Sequence, residues 1–282
     1  MSTGIAQHGP LSAGPVPGGP LGSAARFAAL GFAVGVLSGL LGVGGGVILV
    51  PILVLGLRFA QKRAQATSLV AIAFTATSGA FFYLMEGHVL VVPALAIAAG
   101  GIAGTFIGAE VAHRMSENQV RIIFGVVMIA AGVRMAFGGE LAGGESAVST
   151  SAAAIVGFAA IGLVLGTLSA LVGVGGGTVL VPILVIAFTF TPQVAQGTSL
   201  LVMIPIALVG AWRNGRHGYT QWRSGSWIGL GGVLGAPLGA AVAFAMPGAW
   251  LQRAFAALLI VSALKLFLKV RSARAAQRAR ER

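Results

Sequence analysis

Two glycine-rich motifs are the residues of this chain whose type and spacing are best suited to binding a small ion. Each reads GVGGG, at residues 42–46 and 173–177, and each precedes a short apolar segment. Because glycine has no Cβ, consecutive glycines can turn their backbone N–H groups toward one point, and the following helix would add a partial positive charge. The alternative is that the glycines only permit close helix packing or a tight turn. We predict an anion site at Gly44, Gly45, Gly46, Gly175, Gly176 and Gly177.

A second pair of motifs, Gln-x-Thr-Ser, is expected to open the helix that follows each short segment. Hydroxyl and amide groups are hydrogen-bond donors that can face the oxygens of an anion, so we predict that these residues complete the site. The alternative is that the serines and threonines are helix N-caps. The residues concerned are Gln65, Thr67 and Ser68, and Gln196, Thr198 and Ser199.

Two prolines and two further serines lie close to these motifs. Pro51 and Pro182 lie inside the short apolar segments, where a proline frees a backbone carbonyl and kinks a helix. Such a break is tolerated in a membrane only where protein or a water-filled cavity satisfies the backbone, so we expect the prolines to hold geometry without touching a ligand. Ser38 and Ser169 are weaker site candidates because a serine within a helix often bonds back to its own helix.

The elements that position these residues form an internal repeat. With an offset of 131 residues, 35–54 aligns with 166–185, and 15 of 20 positions are identical. Each half contains five apolar segments, and the second of each half, at about 13 residues, is too short to span a bilayer alone. The expected segments are 24–42, 46–58, 66–85, 90–112 and 119–137, then 152–173, 177–189, 197–213, 226–245 and 251–269.

Composition places these segments in a membrane. Of the 282 residues, 57% are hydrophobic and 9% are charged, with a mean hydropathy of +0.95, whereas soluble chains carry about 25% charged residues. The apolar blocks have the length of membrane-spanning helices, and the alternating ten-residue segments of a β-barrel are not visible. The chain has no cysteine, which excludes disulfides and cysteine-ligated metals. We therefore predict an all-α polytopic membrane protein with no metal and no cofactor.

The distribution of charge predicts how the two halves are oriented. The loop at 58–65 is basic and its equivalent at 189–195 is uncharged, whereas the loop at 86–89 has no Lys or Arg and its equivalent at 213–225 is basic. Because basic loops stay on the cytoplasmic side, this alternation predicts two inverted-topology repeats with both termini in the cytoplasm. Inverted repeats with interrupted short segments are typical of secondary transporters. The net charge of +12 is therefore interpreted as topology and contact with lipid, with no nucleic-acid partner.

The expected organisation has five parts. They are a disordered arm at 1–22, a first transmembrane repeat at 23–138, an outward-facing linker at 139–151, a second repeat at 152–270 and a basic cytoplasmic tail at 271–282. Glycines at four-residue spacing in 100–108 and 231–239 indicate close helix contact within the chain, or alternatively the face of a homodimer.

At the level of family, the chain resembles the sulfite exporter TauE/SafE family, also called the toluene-sulfonate uptake permease family. The resemblance is carried by the paired glycine motifs, from Leu40 to Pro51 and from Leu171 to Pro182, and by the two Gln-x-Thr-Ser motifs, and it covers nearly all of residues 24–270. It implies a permease of the bacterial inner membrane for sulfite, sulfonates or other small sulfur anions.

An enzyme is the main competing class, and the sequence argues against it. The chain has no Asp, no HExxH motif and no Walker A motif, so the usual intramembrane proteases and an ATP-driven pump are not expected. We predict a permease that works by alternating access, with a small sulfur anion and the lipid bilayer as its partners. The alternatives are an anion channel and a permease for another small anion such as a carboxylate.

Overall fold

The computed structural model describes residues 20–111, 117–137, 151–172, 177–188 and 190–280, which form helices and connecting turns without a β-strand. In the first half these are α1 Pro20–Leu41, α2 Gly46–Pro51 with a π-helix at Ile52–Gly56, α3 Gln61–Met85, α4 Val91–Val111 and α5 Glu117–Phe137. In the second half they are α6 Ala152–Val172, α7 Gly177–Ala187, α8 Pro192–Arg216, α9 Trp222–Ala245 and α10 Gly248–Arg280.

The all-α polytopic membrane architecture is confirmed. Among the described residues, five helices are long and apolar enough to cross a membrane, judged by length and composition: α1, α3, α8, α9 and α10. The exposed surface is apolar as well, since Leu95, Leu208, Leu234 and Leu264 are each more than half exposed. In water such a surface would be unfavourable, whereas against lipid chains it is not.

Several helix ends differ from the prediction by about one turn or more, among them the starts of α1 at Pro20 and α9 at Trp222. α3 begins at Gln61 and α8 at Pro192, about one turn earlier than expected, because the polar residues before the apolar runs are themselves compatible with a helix. Thr191 is the N-cap of α8, and its side chain accepts a hydrogen bond from the Val194 N–H. The basic segment after the last span continues α10 as far as Arg280.

Glycine rows join helices from different halves. Along α1 and α9, Gly31 lies on Ile228, Gly35 on Gly232 and Gly39 on Ala236, so the two helices run parallel with their backbones in contact. The equivalent pair is α4 with α6, where Gly100 lies on Ala159 and Gly104 on Leu163. The expected close helix contact within the chain is thus present, because these glycines pack against helices of the same chain.

The two central helices, α3 and α8, run antiparallel. The Thr67 hydroxyl near the start of α3 accepts a hydrogen bond of 3.2 Å from the Gln221 N–H, which lies just beyond the end of α8. The Thr198 hydroxyl near the start of α8 accepts one of 3.1 Å from the Leu90 N–H, just beyond the end of α3. These two bonds are equivalent under the 131-residue offset, and each ties one half of the chain to the other.

The short segment α2 runs back through the bundle. α3 is parallel to α9, because Val70 lies on Gly225 and the Ser78 Oγ donates to the Val233 carbonyl oxygen at 2.7 Å. α1 is also parallel to α9, so the chain between α1 and α3 must return from one end of the bundle to the other. It does so through 11 helical residues, Gly46–Gly56, a length of about 16 Å. Pro51 lies where the α-helix gives way to the π-helix.

Candidate functional site

The two glycine motifs meet in the middle of the bundle. Met203 lies within one residue of the midpoint of α8, and a Cβ on either Gly44 or Gly177 would overlap its side chain or lie in close contact with it. Gly44 also approaches Ile72, the equivalent of Met203 near the midpoint of α3. A Cβ on Gly177 would lie 3.0 Å from the Val43 carbonyl oxygen, so the two motifs are in contact. Gly175 and Gly176 lie outside the described residues.

The first motif forms a turn that only glycine adopts easily. Gly42, Gly44 and Gly45 have φ angles of 65°, 68° and 73°, in the left-handed region where other L-residues are strained. Gly45 is the N-cap of α2, and its carbonyl oxygen accepts hydrogen bonds from the Ile48 and Leu49 N–H groups. Within the described chain, the Gly44 and Gly45 N–H groups donate to no backbone carbonyl. The packing interpretation is supported by this geometry, and the anion site at these glycines stays a prediction.

Gln196 lies against this turn and is held by Tyr83. A Cβ on Gly42 would lie 2.5 Å from the Gln196 Cα, so only glycine fits there. The Tyr83 Oη lies 2.8 Å from the Gln196 Oε1 and 2.9 Å from the Gly39 carbonyl oxygen, and its single proton serves one of these acceptors at a time. If the amide turns over so that its nitrogen donates to the Tyr83 oxygen, its carbonyl is left free instead. In the orientation of the structure, the Gln196 Nε2 has no partner among the described residues.

Three buried polar groups around the turn have no hydrogen-bond partner among the described residues: the Ser38 Oγ, the Gln196 Nε2 and the Ser199 Oγ. All three side chains are at most 1% exposed. The Ser38 Cβ lies 3.6 Å from where a Gly45 Cβ would be, and Ser199 lies one turn after Gln196 on α8. An unsatisfied buried polar group costs about 1–3 kcal/mol, so a ligand or water that bonded all three would stabilise the protein.

Repeat-related residues differ in their hydrogen bonds. The Ser68 Oγ donates to the Gln65 carbonyl oxygen at 2.8 Å, whereas its equivalent, Ser199, has no partner. Thr67 and Thr198 accept backbone bonds from the opposite half. The N-cap alternative for these motifs is wrong, because α3 and α8 begin about one turn before them. Of the site candidates on α8, Thr198 therefore has a hydrogen-bond partner for its hydroxyl, whereas the Ser199 Oγ and the Gln196 Nε2 have none among the described residues.

The remaining sequence candidates are placed as follows. Gly46 is buried as the first residue of α2, Pro51 is exposed and Pro182 is buried. The side chain of Ser169 lies outside the described residues. The expectation that both prolines hold geometry without touching a ligand stays a prediction.

Two residues of the site were not singled out by the sequence. Tyr83 is fully buried and positions Gln196. The sequence did carry a signal for it, because Tyr83 is the one tyrosine of the apolar helix α3. Met203 lies against both glycine motifs, at Gly44 and at Gly177. In the sequence it was distinguished only by its alignment with Ile72 at the 131-residue offset. Ser38, a weaker candidate by sequence, makes no bond back to its own helix within the described residues.

Comparison with known proteins places these features in a family. A "Probable membrane transporter protein" of Xylella fastidiosa (strain 9a5c) is 28% identical over 242 residues, which is 85% of this chain and 92% of the relative. The "Probable membrane transporter protein YunE" of Bacillus subtilis (strain 168) is 30% identical over 236 residues, 76% of this chain and 86% of the relative. No solved structure shows a significant match. The family model "Sulfite exporter TauE/SafE" matches residues 7–135 and 158–282, and the chain belongs to this family of membrane transporters.

Proposed function

We propose that this membrane transporter moves small sulfur oxyanions, sulfite and organic sulfonates, across the bacterial inner membrane by alternating access. The observation that carries the proposal is the set of three buried side chains without protein partners, Ser38, Gln196 and Ser199, beside the turn where the two glycine motifs meet. Each of these side chains can donate a hydrogen bond, and oxyanions are acceptors. The Gly44 and Gly45 N–H groups, which donate to no backbone carbonyl of the described chain, add donors to the same region.

The position of the site suits a carrier. Met203 and Ile72 lie at the midpoints of antiparallel helices, and the polar groups lie within about 11 Å of that level along α8. Substrate sites of secondary transporters lie near the membrane midplane where repeats meet and helices are interrupted. Neutral donors also allow an anion to leave again, whereas a fixed Lys or Arg would hold it more strongly. We infer that movement of one half against the other opens the site alternately to each side.

The same proposal includes the orientation in the membrane. Both termini and the loops at 58–65 and 213–225 face the cytoplasm, and 86–89, 138–150 and 246–250 face outward. In support, the Lys62 Nζ lies 5.7 Å from the centre of the Tyr219 ring, so the first two loops are neighbours. Single cysteines introduced into this cysteine-free chain should label with an impermeant reagent from opposite sides at 58–65 and 189–195. Labelling of both loops from one side would show that the orientation is wrong.

Binding tests the substrate class directly. For the purified protein in detergent, sulfite and methanesulfonate are expected to raise the unfolding temperature above that in chloride at equal ionic strength, because a ligand that binds only the folded state stabilises it. The gain should reach about 2.7 kcal/mol when the ligand is at about 100 times its Kd. If neither anion acts more strongly than chloride, the proposed substrate class is wrong. In proteoliposomes, a flux that saturates at low substrate supports a carrier, whereas conductance steps indicate a channel.

A further inference from the structure

The buried polar side chains of the described chain are all uncharged. They are Ser38, Thr67, Ser68, Thr75, Thr105, Gln196, Thr198, Ser199, Ser224 and Gln252. On α8, the basic residue nearest to the orphaned groups is Arg213, which follows Ser199 by 14 residues, or about 21 Å along the helix. The Arg213 guanidinium donates to the Thr105 carbonyl oxygen at 3.1 Å and lies 5.2 Å from the centre of the Phe106 ring. The described residues therefore place no positive side chain beside the orphaned polar groups.

The hydrogen-bond donors of Ser38, Gln196 and Ser199 suit an anion with one negative charge better than an anion with two. The Ser38 and Ser199 hydroxyls offer one proton each and the Gln196 amide nitrogen offers two, which makes about four neutral side-chain donors beside the Gly44 and Gly45 N–H groups. Neutral donors of this kind can replace much of the hydration of a singly charged oxyanion. The Born cost of removing an ion from water rises with the square of its charge, so it is about four times larger for a dianion. Without a fixed cation among the described residues, only the partial charges of neutral donors offset that difference.

We infer that the site selects singly charged oxyanions, such as a sulfonate or hydrogensulfite, and excludes dianions such as sulfate and fully deprotonated sulfite. The inference rests on the proposed function, since it concerns the same site. It implies that sulfite binds and moves with its proton, so that its transport follows the hydrogensulfite concentration. A sulfonate, which has no second proton to lose, would move independently of pH.

Comparing three sulfur oxyanions shows whether the charge of the ligand determines its binding. Methanesulfonate is a monoanion and sulfate is a dianion across neutral pH, whereas sulfite changes from one to the other. Binding to the purified full-length protein is measured by calorimetry between about pH 6 and pH 9. The apparent Kd of sulfite is expected to rise about tenfold per pH unit above its second pKa, because only the protonated fraction binds. The Kd of methanesulfonate is expected to stay constant, and sulfate to bind at least about 100-fold more weakly than methanesulfonate.

The binding of methanesulfonate at each pH shows whether a pH effect comes from the protein or from the ligand. Tyr83 on α3 is the titratable group that contacts Gln196. The His88 ring is separated from Tyr83 by Phe244, whose ring lies 5.0 Å from that of Tyr83 and 4.9 Å from that of His88. A change in the charge of either would alter methanesulfonate and sulfite binding together. A rise in Kd for sulfite alone therefore reports the charge of the ligand. His88→Gln should leave the sulfite profile unchanged.

The outcomes separate the inference from the function on which it rests. Sulfate binding within about tenfold of methanesulfonate, or a sulfite Kd that does not change with pH, would overturn the selection for monoanions while anion binding itself stands. Failure of all three anions to bind would overturn the proposed function and the inference together. Loss of affinity for methanesulfonate and sulfite in parallel at high pH would assign the effect to the protein and would also overturn the inference.

Discussion

Alanine in place of Gly162 is expected to destabilise the folded protein by about 3 kcal/mol or more, whereas alanine in place of Gly157 on the same helix should leave stability unchanged or slightly higher. A Cβ on Gly162 would overlap the Ile97 carbonyl oxygen of α4, and backbone atoms cannot move aside as a side chain can. Overpacking against movable side chains already costs about 1–3 kcal/mol. The Gly157 Cβ would meet nothing within 4 Å, and replacing glycine by alanine within a helix is favourable by about 0.5–1 kcal/mol.

The measurement is the midpoint of thermal unfolding, together with the yield of monodisperse protein in detergent. Gly31→Ala provides a second test, because Gly31 is the repeat equivalent of Gly162 and lies on the Ile228 backbone of α9. We expect the two variants to lose stability to a similar extent. Wild-type stability of both would mean that the cross-half helix pairs are not as close as described.

Alanine in place of Ser199 is expected to weaken binding of methanesulfonate by about 10- to 150-fold without reducing stability. The Ser199 hydroxyl has no protein partner, so its removal deletes an unsatisfied buried group and should raise the free energy of unfolding, if it changes at all. A hydrogen bond to a charged ligand contributes about 1.5–3 kcal/mol, which corresponds to this range of affinity. A substitution that weakens binding but does not lower stability indicates that the original side chain serves the ligand and not the fold.

Thr198→Val is the matched control on the neighbouring residue. Its hydroxyl accepts the Leu90 N–H bond, so the variant should lose about 1 kcal/mol of stability, with a smaller effect on binding than Ser199→Ala. Calorimetry and thermal unfolding of the same preparations measure both quantities. Unchanged affinity of a folded Ser199→Ala protein would remove Ser199 from the site. Gly45→Ala distinguishes a binding role from a structural role less well. The φ angle of 73° at Gly45 strains any residue with a side chain, so the variant would lose stability whether or not Gly45 binds a ligand.

The sequence by itself determined the class of the protein and most of its helices. Hydropathy is a local property, so apolar runs such as those of α4 and α9 can be located within a few residues. The duplication was visible because both copies of GVGGG are intact at one offset. Helix starts were less certain, as at Gln61 and Pro192, because polar residues can belong to a loop or to a first turn.

Only the tertiary structure decided which polar groups remain without partners. Ser68 and Ser199 occupy equivalent positions in the repeat, yet one donates to the Gln65 carbonyl oxygen and the other has no partner. Likewise, the sequence could not show that Gly44 and Gly177 meet on Met203, or that Tyr83 holds Gln196 across 113 residues of chain. Sequence spacing determines which face of a helix a residue occupies, but hydrogen bonding depends on atoms brought from distant segments within about 3 Å. The candidate site is therefore a property of how the two halves pack together.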